Sequence, residues 1–222
     1  MAQIPLVGMC RLRVNNTSPF PASFLLLQQE GYLIHSCLTV GLTDLRRGNV
    51  HNKGGFYSAL FNLSIGIERL LKAVVIIDHK LNNNLSAPST NQLKGYGHNI
   101  IELYSTASSI ATKRNVQFPI FGSLNAINQD LLRLLSDFAQ TTRYHNLDSL
   151  STNQAGKDPL RHWGEIILAI LKQDVTEKQR HKILNQAGVI SNLIEDNTIV
   201  LMHGLDQQPL SVVDSLALPE PA

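Results

Sequence analysis

The sequence predicts an all-α fold, specifically an up-and-down helical bundle of four to five main helices with extra C-terminal helices and an extended tail. Apolar residues recur at spacings of three and four along most of the chain, which is the pattern of amphipathic helices. The segments between these stretches are modest in length and rich in Asn, Ser, Gly and Pro, as loops are. Helices joined in this way commonly pack around one continuous core.

The first two predicted helices are long. Helix one runs from Ser23 to a basic last turn and a stop at Gly48. Helix two, residues 56–81, keeps a 3.6-residue period for about seven turns and is predicted to be the central core helix. This helix also carries several ionisable side chains, namely Glu68, Arg69, Lys72 and His79.

The later helices are predicted from their start and stop signals. Helix three begins near residues 96–99, and helix four begins at a Ser123 cap and runs to about residue 144. Residues 146–156 are rich in Ser, Thr and Asn and are predicted to form a loop. Helix five starts with Asp158 as cap and Pro159 in the first turn, and helix six runs from Thr176 and Glu177 to Gly188.

This pattern divides the chain into four parts. Residues 1–20 form an N-terminal arm, and residues 21–150 form the main bundle. Residues 151–205 supply additional helices that pack on the bundle, although the piece TIVLM at 198–202 is β-prone. Residues 206–222 contain three prolines and are expected to be extended or disordered.

The composition limits the function classes. Charged residues make up 16%, below the roughly 25% of average globular chains, and 19 Lys and Arg balance 17 Asp and Glu. Net charge therefore provides no general attraction to nucleic acid or membrane, so such contacts would be local.

Two cysteines, Cys10 and Cys37, lie far apart without CxxC spacing, which favours a reducing cytoplasm over a zinc or disulfide framework. No apolar run is long enough for a membrane helix, and no metal or cofactor motif is present.

The most distinctive cluster is RYHNLD at residues 143–148. It brings a guanidinium, a phenol, an imidazole, an amide and a carboxylate together, supplied by Arg143, Tyr144, His145, Asn146 and Asp148. Such a set can act on RNA, since histidine can move a proton while arginine stabilises charge on phosphorus. The alternative is a polar helix C-terminus in which the basic residues complement the helix dipole.

Further candidates lie in and around helix two. Glu68 and Lys72 have the spacing of an exposed ion pair, or with Arg69 they form the edge of a binding groove. His98 and Asn99, at the start of helix three, are predicted to point into the same groove or simply to form a turn. A weaker alternative pair, Arg46 and His51, flanks the link into helix two.

Over about residues 21–150 the sequence resembles the HEPN superfamily of helical domains. The resemblance rests on three segments: SIGIERLLKAVVIIDH in helix two, YGHNIIELY at the start of helix three and RYHNLD at the end of helix four. This resemblance implies a helical bundle from prokaryotic toxin–antitoxin, phage-defence or RNA-processing systems. Active members are metal-independent endoribonucleases that pair as homodimers and carry an Arg and a His with four to six residues between them. In this sequence one residue separates Arg143 from His145, and only Arg46 and His51 match that spacing, before helix two.

Two functions are therefore expected as alternatives. In the first, the chain is a HEPN-like ribonuclease in which Arg143 stabilises phosphate charge, His145 is the acid or base, and Asn146 or Asp148 orients it. In the second, the chain is a non-catalytic helical protein that dimerises or binds RNA, a nucleotide or an antitoxin-like protein partner. A small-molecule pocket between helices is a third reading. The ribonuclease hypothesis predicts that Arg143, His145, His98 and Glu68 partly converge in one groove.

Overall fold

The computed structural model of the chain describes residues 20–116, 124–152, 156–194 and 197–217. Within these ranges the fold is all-α, as predicted, and the only β pairing is two isolated bridges. The elements are α1 (Ala22–Arg47), α2 (Lys53–Asn82), α3 (Thr90–Gly95), α4 (Ile100–Lys113), α5 (Ala126–Gln140), a 3-10 turn (Thr142–Tyr144), α6 (His145–Thr152), α7 (Pro159–Asp174), α8 (Glu177–Ile194) and α9 (Val212–Ala217). No helix in these ranges is both long and apolar enough to cross a membrane.

Helix α2 is the centre of the bundle, as its periodicity predicts. It packs against α1, α4, α5 and α7, and these helices bury one shared core. The fully or nearly fully buried side chains of this core include Leu60, Ile100, Leu103, Leu134, Phe138 and Ile166. Because α7 contributes Ile166 and Trp163, the core extends past residue 150 and α7 is part of the bundle itself.

Helices α1 and α2 form a tight antiparallel hairpin. Glycines allow the close approach: a Cβ on Gly41 would come within 2.7 Å of Leu63, and one on Gly66 within 2.9 Å of Leu38. Real Cβ atoms do not come so close to a neighbour. The hairpin therefore depends on these two positions lacking a side chain.

Several predicted helix ends are confirmed. Gly48 ends α1, Asn99 caps α4 by accepting a bond from the Glu102 amide, and Asp158 caps α7 ahead of Pro159. Helix α8 starts at Glu177 as predicted, with the Thr176 hydroxyl accepting a bond from the Gln179 amide. These are local signals that act without tertiary context.

The predicted end of helix four and the loop after it are wrong. Helix α5 begins after an Asn125 cap and stops at Gln140, and residues 145–152 form α6 where the loop was expected. Ser and Thr side chains favour loops because they compete with the backbone for hydrogen bonds. In α6 they instead bond back to carbonyls four residues earlier, Ser149 to His145 and Thr152 to Asp148. The proposed Ser123 cap lies outside the described residues.

Other departures concern the short and terminal helices. Gly188 does not end its helix, because α8 continues to Ile194 and buries Ala187 and Ser191 in its last two turns. Part of the tail, Val212–Ala217, is the helix α9 that packs against α8, so this part is not extended. Residues 198–202 lie outside regular structure, and α3 occupies a stretch predicted as loop because Ser89 and Gln92 form a capping box. Most of the N-terminal arm is outside the described residues.

Candidate functional site

A groove of about 260 Å³ lies between the middle of α2, the end of α5 and the turn before α4. It combines an apolar floor with four ionisable side chains. The residues that line it are Phe61, Ser64, Ile65, Glu68, Arg69, His98, Phe138, Ala139 and Arg143. Three of its four ionisable residues carry or can carry positive charge, and one is acidic.

One stripe of α2 supplies more than half of this lining. Phe61, Ser64, Ile65, Glu68 and Arg69 follow the i, i+3, i+4, i+7, i+8 spacing that places side chains on one helical face. The apolar part of the stripe approaches Phe138 and Ala139 on α5, which are buried in the core. The helix therefore presents Glu68 and Arg69 where its apolar face ends.

The turn before α4 brings His98 to the groove. Gly97 has a φ of +52°, a left-handed conformation that glycine adopts without strain. The Lys72 ammonium donates to the Gly97 carbonyl at 2.7 Å and so fixes this turn to α2. Asn99 then caps α4, and His98 is the residue directly before this cap.

Glu68 is the electrostatic centre of the groove. Its two carboxylate oxygens lie 2.8 Å from Lys72 Nζ and 2.9 Å from His98 Nδ1. Burial acts to raise the pKa of Glu68, but the hydrogen bonds and charges of Lys72 and His98 outweigh burial and lower it. Glu68 is thus held as a carboxylate that can orient the His98 ring.

His98 has the geometry of an acid–base group. Its side chain is 59% exposed, and Nδ1 faces Glu68. With the proton on Nδ1 donated to that carboxylate, Nε2 is the nitrogen left to accept or deliver a proton at the groove. A carboxylate that fixes the tautomer of a histidine in this way is a common arrangement in acid–base sites.

Two arginines flank this pair. Arg69 forms a two-point contact with Glu30 of α1, with 2.7 Å from Nε to Oε1 and 2.9 Å from Nη2 to Oε2. Arg143 donates from Nη2 to the Ala139 carbonyl in the last turn of α5. Among the described residues no carboxylate lies within ion-pair distance of Arg143, and most of its five N–H donors have no protein acceptor there.

The groove thus has an excess of positive charge. Three basic side chains, Arg69, Lys72 and Arg143, stand against two carboxylates, Glu30 and Glu68. The guanidinium of Arg143, which has no carboxylate partner among the described residues, is suited to an oxyanion such as a phosphate, which arginine binds through parallel N–H donors. The chemistry that this arrangement allows is proton transfer at His98 next to an anion held by Arg143.

The convergence is partial, as predicted. Arg143, Glu68, Arg69 and His98 line one groove, and Lys72 supports it through Glu68. His145, Asn146, Asp148 and Tyr144 do not line it. The reason is the change of direction at the 3-10 turn, after which His145 begins a new helix. His145 is half-buried, and its Nδ1 is buried without a hydrogen-bond partner.

The remaining candidates have local roles. Asn99 is a helix cap. Arg46 lies in the last turn of α1 and His51 in the turn that follows, and both are exposed. The start of α2 at Lys53 is roughly 22 Å along the helix axis from Glu68 at 1.5 Å per residue, and neither Arg46 nor His51 lines the groove. The exposed Asn146 side chain lies near the Tyr57 phenol. Burial and the charge of Asp158 raise the pKa of Tyr57, and Asn146 offsets part of this rise.

The apolar part of the groove, above all Phe61, is not predicted from the sequence. This residue sits on an amphipathic helix, where an aromatic side chain normally indicates core, yet it is 46% exposed. The signal that could have identified it is its spacing, since Phe61 lies seven and eight residues before Glu68 and Arg69.

A second cavity, of about 400 Å³, lies between α2, α3 and the start of α4. It is larger than the groove, but His79 and Glu102 are its main ionisable groups apart from a tyrosine, and no Lys or Arg lines it. The groove is therefore the better candidate for anion chemistry.

Among the described residues, no three His, Cys, Asp or Glu side chains are grouped so that they could hold a metal ion. No protein-family model matches the chain, and searches of curated proteins and of solved structures return no match.

Proposed function

We propose that this chain is a HEPN-like, RNA-binding protein that cleaves RNA without a metal ion through the α2–α5 groove. The observation that carries this proposal is the meeting in one groove of the His98–Glu68 pair with Arg143, an arginine that has no carboxylate partner among the described residues. The sequence resemblance to HEPN domains points in the same direction. In this proposal His98 takes the acid–base role that the sequence suggested for His145.

The proposed reaction is attack of a ribose 2′-hydroxyl on the adjacent phosphorus. The 2′-O–P bond forms while the P–O5′ bond breaks, which yields a 2′,3′-cyclic phosphate and a free 5′-hydroxyl. His98 Nε2 accepts the 2′-hydroxyl proton, and the departing 5′-oxygen takes a proton from water. The His98 imidazolium then gives its proton to the hydroxide that is left, which regenerates both. Arg143 stabilises the negative charge that develops on the phosphoryl oxygens.

The biological setting and the assembly are proposed from the resemblance. A toxin–antitoxin or phage-defence role would supply a protein partner that restrains the nuclease. A homodimer would place two grooves together. These proposals are supported by the exposed aliphatic side chains that α1 presents at seven-residue spacing, Leu26, Leu33 and Val40.

The experiment is cleavage of labelled single-stranded RNA by purified protein in EDTA, with product ends identified. Wild type should cleave and leave a 2′,3′-cyclic phosphate, and Arg143→Gln should reduce the rate about 100-fold or more, as loss of a charge-stabilising donor does. Arg161→Gln is the matched control, since Arg161 is exposed on α7 and 3.7 Å from Glu165. Absence of cleavage by wild type, or equal rates for both variants, would refute the nuclease proposal.

A non-catalytic interaction protein is the second candidate. It is favoured by α8, whose packing is mainly against α9 and which exposes Val189 and Leu193 to solvent. A helix that exposes such side chains commonly binds another protein or a second copy. Sedimentation over a range of concentrations tests this, because a strict monomer with no affinity for a partner would contradict it.

A further inference from the structure

We infer that Phe61 is a base-stacking residue that gives the groove a preference for single-stranded purine-rich RNA. This inference rests on the proposed function, because it assumes that the groove binds a nucleic-acid strand. The inference adds a residue that contacts the base, whereas Arg143 and His98 act on the phosphate and the ribose hydroxyl.

The first support is the position of the side chain. Phe61 lines the groove on the same α2 face as Glu68 and Arg69, yet it is 46% exposed rather than buried in the core. The other aromatic residue of the groove, Phe138, is buried and packs against Tyr57. Phe61 is thus the aromatic ring of the groove that a ligand can reach.

The second support is the arrangement of charge around it. Phe61 precedes Glu68 by seven residues on α2, a separation of roughly 10 Å along the helix axis. Arg143 and His98 lie at the charged part of the same groove. A strand whose phosphate contacts Arg143 can therefore extend a neighbouring base toward Phe61.

The third support is the chemistry of the lining. Base stacking on an aromatic ring next to cations is the usual means by which proteins bind unpaired strands. A base paired in a duplex is already stacked and cannot take this position. Purines present a larger ring surface than pyrimidines, so a stacking site favours adenine and guanine over uracil.

The apolar floor of the groove, on which Phe61 lies, offers few polar groups for reading base edges. The Ser64 hydroxyl donates a hydrogen bond to the Phe61 carbonyl at 3.0 Å, and the other floor residues, Ile65, Phe138 and Ala139, are apolar. Preference would therefore depend on stacking area and not on hydrogen bonding to a particular base.

The test is fluorescence anisotropy with 2′-O-methyl oligo(A) and oligo(U), which lack the attacking hydroxyl and stay intact. Wild type should bind oligo(A) more tightly than oligo(U), and Phe61→Leu should weaken oligo(A) binding about 5- to 150-fold, the range that corresponds to one stacked base. The effect on oligo(U) should be smaller. Phe61→Trp should keep or strengthen oligo(A) binding, and circular dichroism of both variants should match wild type.

Two controls separate this inference from the proposed function. Tyr32→Leu removes an exposed aromatic side chain of α1 that does not line the groove, so it should leave binding unchanged. Arg143→Gln should weaken both probes. Two results would rule out the stacking role while the groove still binds RNA, provided that Arg143→Gln weakens binding. Either Phe61→Leu has no effect on binding, or Phe61→Leu weakens the binding of oligo(A) and oligo(U) equally. If Arg143→Gln has no effect, the proposed function itself fails.

Discussion

His98 Nδ1 lies 2.9 Å from a carboxylate oxygen of Glu68, which precedes it by 30 residues. Glu68 belongs to α2, whereas His98 lies in the turn before α4. The pair exists because Lys72 fixes the turn at Gly97 against α2 and because Glu68 faces the groove. A histidine held by a carboxylate on one nitrogen and open on the other is suited to proton transfer. Arg143 in the same groove supplies the positive charge that a phosphate would need.

Glu68→Gln tests the electrostatic role of this carboxylate through the pH dependence of stability. The folded-state pKa of Glu68 lies below its ordinary value of 4.5, so the stability that its charge provides is fully present above that value. It is lost as pH falls through the lower folded-state pKa. The advantage of wild type over Glu68→Gln in urea unfolding should therefore shrink below about pH 4.5. An advantage that grows as the pH falls would contradict the assigned direction.

Asp130→Ala tests a buried contact between α5 and α7. His162, whose side chain is 4% exposed, has Nε2 3.1 Å from Asp130 Oδ1. Removing the carboxylate leaves a buried ring nitrogen without a partner, which should lower the free energy of unfolding by about 1–3 kcal/mol in urea denaturation. Arg133→Ala is the control, because Arg133 contacts the same carboxylate from an exposed position and should change stability little. Equal effects of the two variants would rule out a special contribution from His162.

A pair of glycine substitutions on α1 tests the close packing of the α1–α2 hairpin. A Cβ at Gly31 would meet no atom within 4 Å, so Gly31→Ala should stabilise the protein by about 0.5–1 kcal/mol through helix propensity. A Cβ at Gly41 would meet Leu63 at 2.7 Å and its backbone nitrogen at 3.0 Å, so Gly41→Ala should cost about 1–3 kcal/mol. Thermal unfolding measures both. A stabilising Gly41→Ala would show that the helices are not packed as described.

The fold could be predicted largely because its main signals are local. Helix α2 has an unbroken 3.6-residue period, and α4 and α7 have side-chain caps at Asn99 and Asp158. Helix α6 could not be predicted, because Ser and Thr are typical of loops and their bonds back to helix carbonyls depend on the helix already being formed. Gly188 likewise suggests a helix end, whereas packing of α8 on α9 keeps the helix intact.

The candidate site could be predicted only in part, because tertiary packing brings it together. Glu68, Arg69, His98 and Arg143 were identified from residue type and spacing, and all four line the groove. The choice between His98 and His145 depends on the 3-10 turn after α5, which turns the chain away just after Arg143. Phe61 was missed because an aromatic residue on an amphipathic helix is usually buried.

The central proposal is that His98, and not His145, transfers the proton during RNA cleavage. The most direct measurement compares His98→Ala with His145→Ala in single-turnover cleavage of labelled RNA in EDTA, with circular dichroism to confirm folding. We predict that His98→Ala lowers the rate at least about 100-fold, as loss of an acid–base group does, while His145→Ala retains most of the activity. Cleavage that persists in His98→Ala, or that His145→Ala alone abolishes, would contradict the assignment.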